Sequence, residues 1–105
     1  MNDEELRRYF ADRLPARLAE IEEALAAARA AGWTGEPLRT AHRLAHSLKG
    51  AGETFGFPEV SAAGRELERM LAGAVGEEEE KKIGEVVGRL RRAAPGTAGV
   101  PPATN

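Results

Sequence analysis

The chain contains no cysteine, which excludes a disulfide framework and cysteine-based zinc or redox chemistry. No segment alternates apolar and polar residues as a half-buried strand would, and no internal repeat is evident, which leaves an all-α architecture. A Gly-rich phosphate loop, a Walker-type Lys-Ser/Thr and acids spaced to hold magnesium with nucleotide are all missing, so no kinase activity of its own is expected. Neither sign of charge prevails. Fifteen basic against 17 acidic side chains give a formal net charge of −2, and no sequence-wide field attracts nucleic acid. No apolar run approaches the ~20 residues that span a bilayer. The start, Met1-Asn2-Asp3-Glu4-Glu5, is acidic where a secretory signal is basic and then apolar. The expected setting is the cytoplasm, with neither nucleic acid nor membrane as partner.

What remains is one domain of 105 residues, 42% hydrophobic and 30% charged, enough for a single modest core. Asn2 or Asp3 can cap a first short helix, whose Glu4 and Glu5 suit the positive end of its dipole and whose Leu6, Tyr9, Phe10 and Leu14 form one apolar face. Pro15 cannot sit in an uninterrupted helix without removing a hydrogen bond, so a kink or break is expected there. From Pro15 to about Ala31, Leu18, Ile21, Leu25 and Ala28 recur at helical spacing. Gly32 ends this helix, and Trp33 is expected to seal one end of the bundle.

A third helix runs from about Pro37 to Phe55 and is stopped by Gly56-Phe57-Pro58. Pro58 opens a fourth, with Val60, Ala63, Leu67, Met70 and Leu71 inward, ending at Gly73 or Gly76. Glu77-Glu78-Glu79-Glu80-Lys81-Lys82 reads as the solvated start of a fifth, with Glu77–Lys81 and Glu78–Lys82 at i,i+4 and Ile83, Val86, Val87 and Leu90 buried. Residues 95–105 offer nothing to bury and are expected to be a disordered tail or linker beyond a bundle of residues 1–94. The expected fold is an all-α antiparallel up-down four-helix bundle with an additional short N-terminal helix.

The stretch with most chemistry is Ala41 to Gly56, Ala-His-Arg-Leu-Ala-His-Ser-Leu-Lys-Gly-Ala-Gly-Glu-Thr-Phe-Gly. Projected at about 100° per residue, Leu38, Ala41, Leu44, Ala45, Leu48, Gly52 and Phe55 gather on one broad face. His42, His46, Lys49 and Glu53 form a stripe on the other side. Both histidines therefore face solvent or a partner. Gly50, one turn after His46, places no side chain beside that ring although glycine inside a helix costs roughly 1 kcal/mol against alanine. Something large is expected to approach the imidazole.

His46-Ser47-Leu48-Lys49-Gly50 followed by Phe55-Gly56 resembles the histidine-containing phosphotransfer (HPt) family of two-component signalling. The Thr54-Phe55-Gly56-Phe57 wording is similar to that of chemotaxis-type kinase phosphotransfer domains. The resemblance implies the same bundle and a carrier role. On it, His46 accepts and donates a phosphoryl group, Lys49 assists, and Gly50 leaves room for a response-regulator receiver domain. The partners it implies are that receiver and a histidine kinase. No cofactor belongs to the chain itself; the aspartate and the magnesium belong to the receiver. The face offered for docking comprises His42, Ala45, Gly50 and Glu53 around His46 and Lys49. The protein is expected to act as a monomer, whether it stands alone or forms a domain of a longer kinase.

The residues support such chemistry. A free imidazole titrates near 6.5, so a neutral, nucleophilic ring nitrogen is available around pH 7. Phosphoryl transfer asks the protein mainly for positioning and charge stabilisation, and Lys49, three residues on, can offset negative charge beside His46. In chemotaxis-type relatives a glutamate on the following helix orients the histidine, and 22 residues on from His46 this position is Glu68. Glu68 as orienting group and Glu68 as plain surface residue both stay open. Arg65 stands where some relatives carry a second polar ring. His42 and His46 also have the i,i+4 spacing of metal ligands, but no glutamate follows His42 as general base and no third ligand is evident. The rival to a carrier is an HPt-like adaptor that docks a partner without carrying phosphate; a metal-dependent enzyme is more distant.

Overall fold

The computed structural model describes residues 2–94. They form four helices, α1 (Asp3–Ala30), α2 (Gly35–Phe55), α3 (Pro58–Ala72) and α4 (Glu77–Ala93). Connections of a few residues turn each helix back against its predecessor, and α4 returns to α1, closing a four-helix bundle. The tail or linker expected for 95–105 lies outside the described residues. None of the helices described is long and apolar enough to cross a membrane.

The expected break at Pro15 does not occur, and the separate short N-terminal helix is corrected to the first turns of a continuous α1. An interior proline costs about 3 kcal/mol, yet Phe10, Leu14, Leu18, Ile21, Leu25 and Ala28 are all buried along one side of that helix. Burial of each large apolar side chain recovers about 1.5–3 kcal/mol, so packing on both sides of Pro15 outweighs the lost hydrogen bond. Asn2 caps α1 as anticipated: its side chain accepts from the Glu5 N–H at 2.8 Å while Glu5 accepts from the Asn2 N–H at 3.0 Å. Tyr9, counted on the apolar face, is instead 45% exposed, with the Arg13 guanidinium 3.6 Å from its ring centroid.

The N-terminal turns of α1 brace the corner between α2 and α3. Phe10 stacks on Phe55 at 5.0 Å between centroids and meets Phe57 at 5.1 Å, and Arg7 donates to the Gly56 carbonyl at 2.7 Å. Gly56 ends α2 with φ 80°, the left-handed conformation that glycine adopts without a steric penalty, and Pro58 occupies the first turn of α3. Trp33 closes the opposite end. Its φ of 60° is unfavourable for a bulky residue. The indole packs against the core and its Nε1–H donates to Glu80 at 2.7 Å, which anchors that conformation.

Glu80 thereby departs from the solvated run expected of 77–82, because it also accepts from Arg29 at 3.2 Å. Glu79 accepts from the Gly76 N–H at 2.9 Å and starts α4. Neither Glu77–Lys81 nor Glu78–Lys82 is among the ion pairs of the described residues; at this helix start the carboxylates of Glu79 and Glu80 serve orphan N–H groups and a neighbouring helix instead.

Candidate functional site

α2 and α3 approach each other through small residues. A Cβ added to Gly64 would lie 2.7 Å from the Lys49 nitrogen, 2.9 Å from the Lys49 Cα and 3.1 Å from the Ala45 carbonyl oxygen. One added to Gly52 would lie 2.6 Å from the Ser61 nitrogen. Only glycine permits backbone to meet backbone this closely. The contact sits directly behind His46, so α3 is held at a fixed distance from the helix that carries the imidazole.

That distance lets Glu68 of α3 reach across to α2. Its Oε2 lies 2.6 Å from His46 Nδ1, and its Oε1 lies 3.2 Å from Lys49 Nζ. One carboxylate thus contacts both His46 and Lys49. The hydrogen bond from His46 is the main reason the Glu68 carboxyl sits below the usual carboxylate range, with burial opposing and the Lys49 hydrogen bond adding to the effect. An ionised carboxylate can only accept, so the nitrogen facing it donates, and in the neutral ring the lone pair then belongs to Nε2. The His46 side chain is 63% exposed, against 22% for Glu68 and 25% for Lys49. The imidazole thus stands outward with the carboxylate half-buried behind it.

The remaining residues of the expected docking face divide. Gly50 opens onto free space, with nothing within 4 Å of an added Cβ. Glu53 is exposed and accepts from Arg65 at 3.0 Å, an ion pair across the two helices. His42 is half-buried on the same face. Ala45 requires correction: it is fully buried and its carbonyl lies against Gly64, so it belongs to the seam and is not offered to a partner. Among the described residues no three His, Cys, Asp or Glu side chains gather as a metal site.

Gly64 and Gly52 set the approach of the two helices, although in the sequence Gly52 reads only as part of an apolar face and Gly64 carries no motif. The available signal was the run Ala62-Ala63-Gly64, small residues that allow close helix approach, yet nothing in it says which helix lies opposite.

The fold and this geometry define a helical bundle built to display a carboxylate-held histidine. A family model described as Hpt domain matches residues 5–94, and the chain belongs to that family. Hpt domains are phosphocarriers of two-component signalling, which gives the class of activity. Searches of curated proteins and of solved structures returned no match.

Proposed function

We propose that this protein is a cytoplasmic phosphorelay carrier whose Nε2 of His46 takes a phosphoryl group from a receiver aspartate and returns it to one. The observation that supports this most is the 2.6 Å contact between His46 Nδ1 and Glu68. In the transfer, the Nε2 lone pair attacks phosphorus, a P–N bond forms, the acyl phosphate P–O bond breaks, and the aspartate leaves as carboxylate. The ring gains positive charge as it does so, and Glu68 sits where that charge develops. The Nδ1 proton stays between the ring and the carboxylate throughout. Lys49 keeps Glu68 in place through one N–H, and its remaining donors are available to phosphoryl oxygens.

On this reading the receiver approaches over His42, Gly50 and Glu53 and supplies its own aspartate and magnesium, while the chain has no kinase activity of its own. Incubation with a phosphorylated receiver and magnesium should place acid-labile, base-stable phosphate on the wild type and none on His46→Gln at unchanged helix content. Retained label on His46→Gln would move the acceptor elsewhere. A folded wild type that no receiver or kinase labels would favour the adaptor reading.

A further inference from the structure

The two nitrogens of an imidazole direct their lone pairs roughly opposite ways, so the partner of one fixes the outlook of the other. Glu68 takes Nδ1 from the α3 side of α2, the side on which Gly64 meets Lys49 and Ala45. Nε2 therefore faces away from α3. The α1 side of α2 is marked by Leu44, Ser47 and Leu48, which line a groove with Arg17, Glu20 and Ile21. Between His46 and that groove lie Gly50 and Arg43, about 40° and 60° round the helix from His46, whereas Lys49 lies about 60° round the other way.

The cations near His46 are not equivalent. Lys49 is three-quarters buried and bound to Glu68 at 3.2 Å. Arg65 is taken by Glu53 at 3.0 Å and Arg39 by Glu36 at 3.0 Å. Arg43 is exposed and has no ion pair among the described residues. Its side chain is long enough to sweep the surface one turn before His46, over which the His46 ring itself leans because helical Cα–Cβ bonds tilt toward the N-terminus.

We propose that Arg43 is the cation that receives the phosphoryl oxygens on Nε2. This rests on the His46 reading above and adds a second residue, on the opposite flank from Lys49. A guanidinium presents paired N–H donors that match two phosphoryl oxygens, which a single ammonium does not. Gly50, about two turns further along the same flank, adds no side chain there. Lys49 and Glu68 then orient the nucleophile from behind while Arg43 holds the group being transferred.

The test separates contact with the phosphoryl group from contact with a receiver by using phosphoramidate as donor. Nε2 attacks its phosphorus, the donor P–N bond breaks and ammonia departs, with no protein partner present. Arg43→Gln should slow this labelling about tenfold and Arg43→Lys should recover part of the rate. In phosphorus NMR of the labelled protein, the last ionisation of the phosphoryl group should move to higher pH in Arg43→Gln, because a cation beside an acid favours its charged form. An unchanged labelling rate and ionisation in Arg43→Gln would overturn the proposal, and slower transfer from a receiver alone would make Arg43 a docking residue instead. No label on the wild type would overturn the His46 reading itself.

Discussion

The seam between α2 and α3 and the attachment of α4 hold the same bundle together by opposite means. At the seam, Gly52 and Gly64 let main chain touch main chain, and the separation cannot change without moving a backbone. α4 buries Ile83, Val86 and Leu90, but its polar ties are long side chains: Arg91 to Glu22 at 2.6 and 2.7 Å, Arg89 to Glu66 at 2.8 and 3.2 Å, and Glu80 to Arg29 and Trp33. Exposed pairs of that sort contribute roughly 0–1 kcal/mol each and adapt to small shifts. His46 and the Glu68 carboxylate 2.6 Å from it straddle the seam that cannot adapt. On the proposed carrier role, the tight fit falls where a ring nitrogen has to be aimed, and looser joinery suffices elsewhere.

The substitution that should break this comparison most severely is Gly64→Ala. A methyl group there meets backbone, so urea unfolding should show a loss of about 1–3 kcal/mol from overpacking, and phosphoryl acceptance should fall as Glu68 is moved off His46. A stable, fully active Gly64→Ala protein would remove the backbone-contact account. Glu68→Gln keeps the shape and removes the charge; labelling of His46 should slow on the order of tenfold, the loss of a charge-assisted hydrogen bond at a partly exposed site. An unchanged rate would reduce Glu68 to a surface residue.

Acid should sharpen the contrast by acting unevenly. Glu66, Glu79 and Glu80 are all held below the usual carboxylate range, by Arg89, by the Gly76 N–H and by the Trp33 N–H respectively, and all three serve α4. Glu68, held low by His46, acts the same way between α2 and α3, but there the backbone contacts at Gly52 and Gly64 persist when it is protonated. In the unfolded chain such groups titrate near about 4.3. The unfolded state therefore takes up protons first, and the stability these groups contribute is complete above that pH and lost as pH falls through their lower folded values. Hydrogen exchange on acidification should show α4 amides losing protection before those of α2 and α3. Simultaneous loss would mean that the two regions are not held differently. The smallest effect is expected of Gly50→Ala. With open space around it, the helix should gain up to about 1 kcal/mol, and labelling by phosphoramidate should persist while transfer from a receiver slows. Unimpaired receiver transfer would show that the approach of the partner does not need that space.

The course of α2 was legible because its signals are local: a face of Leu and Ala, a glycine to end it and a proline to start the next helix. His46 stood out through its motif, and Glu68 as one of two open readings; the 2.6 Å contact puts its carboxylate beside the ring, a proximity that a count of 22 residues does not establish. Pro15 misled because local preference argued for a break while the apolar residues on both sides of it, buried against other helices, argued for continuity, and only tertiary packing decides between them. Gly64, Ala45 and the Trp33–Glu80 bond depend on what lies opposite, which no window of sequence contains. The same letter illustrates it: Gly50 faces emptiness and Gly64 faces a backbone; the spacing from His46 marks the first as open, while nothing local to α3 marks the second as packed.

His46 stands 63% exposed on an open helix face. On the carrier role proposed above, a group on His46 sits on a landing stage and not in a chamber. Transfer on and off such a surface is reversible, so the concentrations and phosphoryl-transfer energies of the partners set the direction. A carrier of that form would be a two-way junction, with the bias of the circuit imposed by the proteins on either side of it.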